Sequence, residues 1–274
     1  MADGRPEWMR IREGGALDEA GMAAVVRGEM QAAKVLWVQG PRPVPDPLAF
    51  WRRMGETLGP SADLIEDSLT GELQHADGRW MDVRFEPDRA DTYRHHNVGQ
   101  PLHCDGAYIP VDRTGRLAVF YLERQAEEGG ESLFVDAETV DAYAREKDPA
   151  LHQALIGLPV RFGKAGDIPR IERVLSRQHG RLKINWNYFR VLPGQGEAVD
   201  ALRRAFADLL EQLVEDGVAQ SFRLGTGDAV FFRDDEVLHG RKAYAAERSG
   251  DRLLWKTYFH IPADFGVLQP ARAA

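Results

Sequence analysis

The sequence predicts an α+β, mainly β fold: a double-stranded β-helix (jelly roll) core with flanking helices. Three observations predict it. Short apolar runs bounded by glycine and proline recur along the chain, as strands of a barrel do. Helical spacing concentrates near the N-terminus and in a central insertion. His103, Asp105 and His239, all metal-ligating residue types, lie far apart in sequence, and a closed β-barrel brings such segments together. With no internal repeat and no low-complexity linker, residues 1–274 are expected to form one domain. Residues about 1–90 would be helical and strand support, and about 91–265 the core.

Taken in order, Leu17 to Gln31 carries small and apolar residues at helical spacing. Lys34 to Val38 reads as a short buried strand. Asp46-Pro47 opens a helix through about Leu58, because aspartate caps it and proline suits its first turn. Residues 60–79 look irregular, and Trp80 to Phe85 reads as a strand. Arg89 to Gln100 is polar and leads into the strand that carries His103. Leu117 to Leu122 is a dense apolar run of core-strand length, and Glu131 to Val135 is another strand. Val140 to Arg145 and Pro149 to Ile156 read as short helices, and Arg181 to Val191 as a strand. Glu197 to Glu215 is the clearest amphipathic helix, with Val199, Leu202, Phe206, Leu209, Leu210 and Leu213 three and four apart. Strands follow at Ala219 to Leu224, Ala229 to Arg233 and Arg252 to His260.

Composition bounds the function. A hydrophobic content of 43% with 28% charged residues is that of a globular protein. A net charge of −8 argues against a phosphate-backbone binder, so no nucleic-acid partner is expected. The single cysteine, Cys104, excludes an intrachain disulfide and suits a reducing cytoplasm. No apolar run suggests a secretory signal or a membrane span.

The chemistry sits in His103-Cys104-Asp105. Residues i and i+2 of an extended strand point to one side, so His103 and Asp105 can grip one ion. Two imidazoles and a carboxylate, with His239 as the third ligand, hold non-haem Fe(II) on one face and leave positions open. Alternation turns Cys104 away, as a packing residue.

The surrounding residues resemble the Fe(II)/2-oxoglutarate-dependent dioxygenases of the TauD/TfdA superfamily, including the clavaminate synthase-like enzymes. The matching stretches are Pro101 to Tyr108, Gly129-Gly130-Glu131-Ser132, Gly227 to Phe232, Val237-Leu238-His239-Gly240-Arg241 and Arg252 to Lys256. They occur in the family's order over roughly residues 100 to 260. The resemblance implies Fe(II) held by His103, Asp105 and His239 as the catalytic centre, with 2-oxoglutarate and O₂ as co-substrates. It also implies that Arg252 takes the distal carboxylate of 2-oxoglutarate through a planar, charged fork. Arg248 is the competitor, in a polar loop. Ser132 stands where relatives often use a threonine hydroxyl on the same carboxylate.

Substrate contacts are expected at three further residues. Lys256 follows Arg252 by four residues and faces the same way in a strand, where relatives often carry an arginine for an acidic substrate group. Asp235, in the run Arg233-Asp234-Asp235-Glu236, could hold a substrate amine, although such a run is more often a solvated turn. Asn187, alternating with Asn185, could bind substrate or tie down loops. The other histidines (His75, His95, His96, His152, His179 and His260) read as surface or structural residues, with His95 and His96 able to line the cavity.

The expected reaction is hydroxylation of an unactivated C–H bond in a small amino-acid-like or other carboxylate-bearing substrate, releasing succinate and CO₂. Asp105 disfavours halogenation, since halogenating relatives replace this carboxylate with a small residue. Desaturation or cyclisation by the same family remains open. So do two rivals: a zinc hydrolase, which shares the ligand set, and a non-catalytic metabolite-binding jelly roll.

Overall fold

The computed structural model describes residues 6–40, 45–62, 80–89, 94–109, 116–164 and 168–261. In chain order its elements begin with β1 (Met9–Glu13), α1 (Glu19–Glu29), β2 (Val35–Gln39), α2 (Pro47–Glu56), β3 (Met81–Arg84) and β4 (Gln100–His103). There follow β5 (Leu117–Arg124), β6 (Ser132–Asp136), α3 (Ala137–Lys147), α4 (Pro149–Gly157), β7 (Val160–Phe162), β8 (Arg170–Glu172), β9 (Leu175–Gln178) and β10 (Arg181–Ile184). The chain then runs through α5 (Glu197–Glu215), β11 (Gln220–Phe222), β12 (Ala229–Arg233), β13 (Val237–Arg241) and β14 (Leu253–Phe259).

Helix starts follow their caps. The Asp46 carboxylate accepts from Ala49 N–H at 2.9 Å, with Pro47 in the first turn of α2. Asp136 and Asp148 cap α3 and α4 in the same way. The strands form a six-stranded sheet, β1-β2-β12-β5-β14-β3, and a four-stranded sheet, β11-β6-β13-β4, with two small ladders β9/β10 and β7/β8. All pairings are antiparallel except β1 with β2. The architecture is mixed, α+β.

Period-two alternation sorts each strand between two apolar layers. On β12, Ala229 and Phe231 turn outward to the helix side with Phe50, Trp51 and Met54 of α2. Val230 and Phe232 turn inward to a layer shared with Phe134 of β6, Val237 of β13 and Leu254 of β14, so this layer draws on both sheets. A third layer packs α3, α4 and α5 against Leu133, Val135 and Leu238, the outer face of the smaller sheet. Each fully buried Phe or Leu contributes about 1.5–3 kcal/mol, so these faces fix strand register.

Several expectations change in detail. The ligand strand β4 ends at His103, and Asp105 opens a short 3-10 turn, Asp105–Tyr108. The strand expected over Arg181 to Val191 stops at Ile184, because Asn185, Trp186 and Asn187 leave the ladder and lead into another 3-10 turn. Strands β1, β7, β8, β9 and β13 were not expected as strands. The irregular stretch expected over 60–79, with His75, lies largely outside the described residues.

Candidate active site

The same alternation aims the chemistry inward. Leu102 and Cys104 pack into the helix-side layer, so His103 and Asp105 turn the other way. Cys104 remains extended (φ −100°, ψ 135°), which preserves this alternation although the strand has ended. On β13, Leu238 faces the helices and Val237 the inter-sheet layer, which places His239 inward as well. His239 stands directly opposite His103 in the β13/β4 ladder. At Gly240 a Cβ would meet Gln100 O at 2.8 Å, so the missing side chain permits the close approach of these strands.

The three expected ligands therefore converge. One donor atom from each of His103, Asp105 and His239 lies within 4.8 Å of the others, a spacing suited to one metal ion. His103 Nε2 is 3.6 Å from Asp105 Oδ1, and His239 Nε2 is 3.4 Å from Asp105 Oδ2. His103 Nδ1 is 2.8 Å from Pro101 O, which only accepts, so this nitrogen carries the proton and Nε2 keeps a lone pair for a metal. The rings of Phe120, Phe134 and Phe232 wall His239, with centroids at 5.3, 6.4 and 4.9 Å. Burial, then the neighbouring His103, lowers the His239 pKa to about 4, which keeps the ring neutral. Burial alone would raise the Asp105 carboxyl. Lys256, His239 and His103 outweigh it and hold the group well below the usual carboxylate range. An ionised carboxylate and two inward-facing imidazoles, one with its Nε2 lone pair fixed by Pro101 O, fit Fe(II).

Two side chains that sequence reasoning gave no ligand-holding role also reach Asp105. Tyr258 donates its phenol hydrogen to Asp105 Oδ2. Asp234 accepts from the backbone N–H groups of Asp105 (3.0 Å) and Gly106 (2.7 Å), fixing the turn that carries the ligand. Burial and the Asp105 charge push the Asp234 carboxyl up, against those two bonds. The period-two step from Lys256 was the only signal for Tyr258, and aromatic strand residues are usually core.

Lys256 itself lies in the group, its Nζ 3.1 Å from Asp105 Oδ1. Arg252 is buried at 2% exposure, whereas the Arg248 side chain is 87% exposed and faces Asp251. The Arg252 guanidinium lies 5.4 Å from the Tyr244 ring centre, and its Nε has no hydrogen-bond partner. Burial, then Arg241, pushes Arg252 down to about 9, still cationic at neutral pH. Gly130, at φ +74°, backs onto it: a Cβ there would sit 3.3 Å from Arg252 Nε. Ser132 is buried and pairs with Arg241 across β6 and β13, two residues from Gly130.

The remaining expected residues are engaged elsewhere. Asp235 Oδ2 accepts from Lys183 at 2.8 Å, and Lys183 also reaches the fully buried Glu236, which Arg181 holds from its other oxygen. The acidic run is thus a bonded network rather than a solvated turn. Asn187 caps the turn after it through Phe189 N–H and lies 3.5 Å from Cys104 O, while Asn185 donates to Ala107 O, so both tie down loops around the ligand turn. His95 lies 3.3 Å from Arg84 O, His96 Nδ1 accepts from Val98 N–H, and His152 pairs with Asp141. Cys104 packs in the core, with Sγ 3.4 Å from Ile184 O.

Known proteins are similar to this chain in sequence or in fold. A uridine-5'-phosphate dioxygenase from an Amycolatopsis species is 26% identical over 204 residues, covering 69% of this chain and 71% of that protein. PvcB from Pseudomonas aeruginosa superposes with a TM-score of 0.67 at 16% identity, over 93% of this chain and 87% of that one. An asparagine oxygenase, solved with Fe(II), 2S,3S-3-hydroxyasparagine and succinate, does so with a TM-score of 0.66 at 17% identity, over 91% and 84%. No helix among the described residues is long and apolar enough to cross a membrane. The family model for the taurine catabolism dioxygenase TauD, TfdA family matches residues 9–258, so the chain belongs to that family, and its reaction class is the Fe(II)- and 2-oxoglutarate-dependent dioxygenation expected from the motifs.

Proposed function

We propose that this chain hydroxylates an unactivated C–H bond of a small, carboxylate-bearing, amino-acid-like substrate, using Fe(II) at His103, Asp105 and His239. The observation that carries the reading is the convergence of these three donors, inward-facing and within 4.8 Å. The two sheets are taken as the faces of a double-stranded β-helix in a single domain, with residues about 1–90 supporting a core of about 91–265. The protein is taken to work in the cytoplasm.

Bound Fe(II) with 2-oxoglutarate and O₂ supplies the oxidation, in which 2-oxoglutarate becomes succinate and CO₂, one O₂ oxygen enters succinate and the other enters the substrate as hydroxyl. The chain's residues do the rest. His103 presents Nε2 because Pro101 O holds its Nδ1 proton. Asp105 supplies a full negative charge, kept ionised by its neighbours. Arg252 receives the distal carboxylate of 2-oxoglutarate and Ser132 donates a hydroxyl to it. Phe120, Phe134 and Phe232 exclude water around His239. Lys256, beside Asp105, supplies the positive charge for the substrate's acid. Asp235 and Asn187 remain candidates only if substrate displaces their present partners.

The asparagine oxygenase of this fold was solved with a hydroxylated amino acid, which supports the reading. The name of the uridine-5'-phosphate dioxygenase makes a phosphate-bearing substrate the second candidate. The test is succinate release from 2-oxoglutarate, first without primary substrate, then with a panel of free amino acids, related amines and uridine 5'-phosphate. Fe(II)-dependent succinate and a product heavier by one oxygen are expected. No succinate under any condition would sink the reading in favour of a metabolite-binding protein, and a product lighter by two hydrogens would mark desaturation or cyclisation.

A further inference from the structure

We infer that Tyr258 is a positioning residue for the ligand carboxylate of Asp105, and that Tyr258 and Lys256 act on metal binding in opposite senses. The inference rests on the metal-site reading above. Strand β14 turns Leu254 and Tyr258 toward the inter-sheet layer and Trp255 and Phe259 toward the helices, so Lys256 and Tyr258 leave one face of one strand. Their hosts are fixed: Tyr258 pairs with Ala118 and Lys256 with Phe120 across β5, and Tyr258 O accepts from Ala62 N–H at 2.8 Å. From that face the two side chains take one carboxylate oxygen each. Tyr258 donates to Oδ2, and Lys256 lies 3.1 Å from Oδ1.

The two donors differ in charge, and that decides their effect on a cation. A phenol is neutral, so it orients the carboxylate while leaving its negative charge available. An ammonium also orients it, but adds a positive charge that repels a divalent ion. Asp105 starts a short turn rather than standing within a strand, so the ladder alone does not set its side-chain angle. Asp234 holds the backbone of that turn from one side, and Tyr258 fixes the carboxylate from the other. Ligand carboxylates anchored in this manner typically lose tenfold or more in metal affinity when the outer hydrogen bond is removed.

The experiment is Mn(II) titration of the metal-free protein by calorimetry, for wild type, Tyr258→Phe and Lys256→Met, with near-ultraviolet circular dichroism on the same samples. Tyr258→Phe keeps the ring and should weaken Mn(II) binding about tenfold. Lys256→Met should tighten it about threefold, the scale of a partly exposed charge contact. Tyr258→Phe binding within twofold of wild type would overturn the inference, as would weaker binding in Lys256→Met. Loss of the native spectrum in Tyr258→Phe would assign the hydroxyl a packing role and overturn it too. A wild type that binds no Mn(II) would instead overturn the metal-site reading, and this inference with it.

Discussion

Replacing Arg252 by methionine should weaken 2-oxoglutarate binding while leaving the free protein as stable as before, or more so. Arg252 is 2% exposed, its Nε lacks a partner, and burial, then Arg241, lowers its pKa, with Tyr244 opposing. No carboxylate pairs with Arg252 among the described residues, so its buried charge lacks a counter-ion there until a carboxylate arrives. Removing a buried charge that lacks its counter-ion relieves desolvation, and methionine retains most of the stem volume. Charge-assisted hydrogen bonds to a carboxylate are worth about 1.5–3 kcal/mol, which is roughly tenfold to 150-fold in affinity. The assay is succinate release against 2-oxoglutarate concentration, with Mn(II) affinity and the thermal midpoint as controls. A 2-oxo acid without the distal carboxylate, 2-oxopentanoate, provides the second arm, since it should lose little on going to Arg252→Met. Equal losses for both acids would show that Arg252 only supports the fold. A larger 2-oxoglutarate defect in Arg248→Ala than in Arg252→Met would transfer the role to the exposed loop arginine.

Other changes follow from the same geometry. His103→Ala, Asp105→Ala and His239→Ala should each abolish turnover with native circular dichroism retained; near-native activity and metal content in any one would remove that residue from the ligand set. Gly130→Ala places a Cβ at φ +74° and 3.3 Å from Arg252 Nε, so it should raise the 2-oxoglutarate requirement and lower the thermal midpoint together; an unchanged requirement would separate the glycine turn from the co-substrate site. In metal-free protein the folded state keeps His239 neutral down to about pH 4, whereas the unfolded chain takes that proton near 6.5. That group alone should therefore lower stability as pH drops through this window, by up to about 3 kcal/mol. The raised Asp234 carboxyl works the opposite way, so denaturant titrations read the effect as the difference between wild type and a His239→Gln variant. Wild type should lose stability relative to His239→Gln as pH falls from about 6.5 to about 4, and parallel slopes would refute it.

Much of this was legible because periodicity and caps are local. The α5 boundaries, Glu197–Glu215, coincide with the apolar spacing from Val199 to Leu213. Asp46 marked the start of α2 for the reason it caps it. The less legible strands share a physical cause. β1 reads Met-Arg-Ile-Arg-Glu and lies at the edge of its sheet, where packing imposes little pattern. β7 and β8 are three residues long, shorter than a period-two signal needs. β13 is buried on both faces, so its charged and glycine positions hide the alternation. For the site, sequence spacing identified residue types that ligate and bind, but it gave no account of Asp234, whose value lies in two backbone hydrogens on a segment 128 and 129 residues away.

That carboxylate also explains how the ligands can be arranged by the chain itself. His103 and His239 are fixed to each other by the β4/β13 ladder. Asp105 lies beyond the end of β4, so the ladder alone does not hold its turn. Asp234 stands between β12 and β13, just before the strand that bears His239, and it holds the backbone of Asp105 and Gly106. One acidic side chain therefore ties the candidate ligand Asp105 to the strand that bears His239. The same turn is braced from behind by Arg170, which donates to Gly106 O at 3.1 Å, and by Asn185 on Ala107 O. Burying Asp234 so close to the Asp105 charge is costly, and the two backbone bonds offset that cost only while the turn keeps this shape. A departure of the turn would leave a buried carboxylate without its donors. Part of the energetic penalty for disordering the candidate metal site is thus built into the protein itself, unlike a zinc finger, where folding waits for the ion.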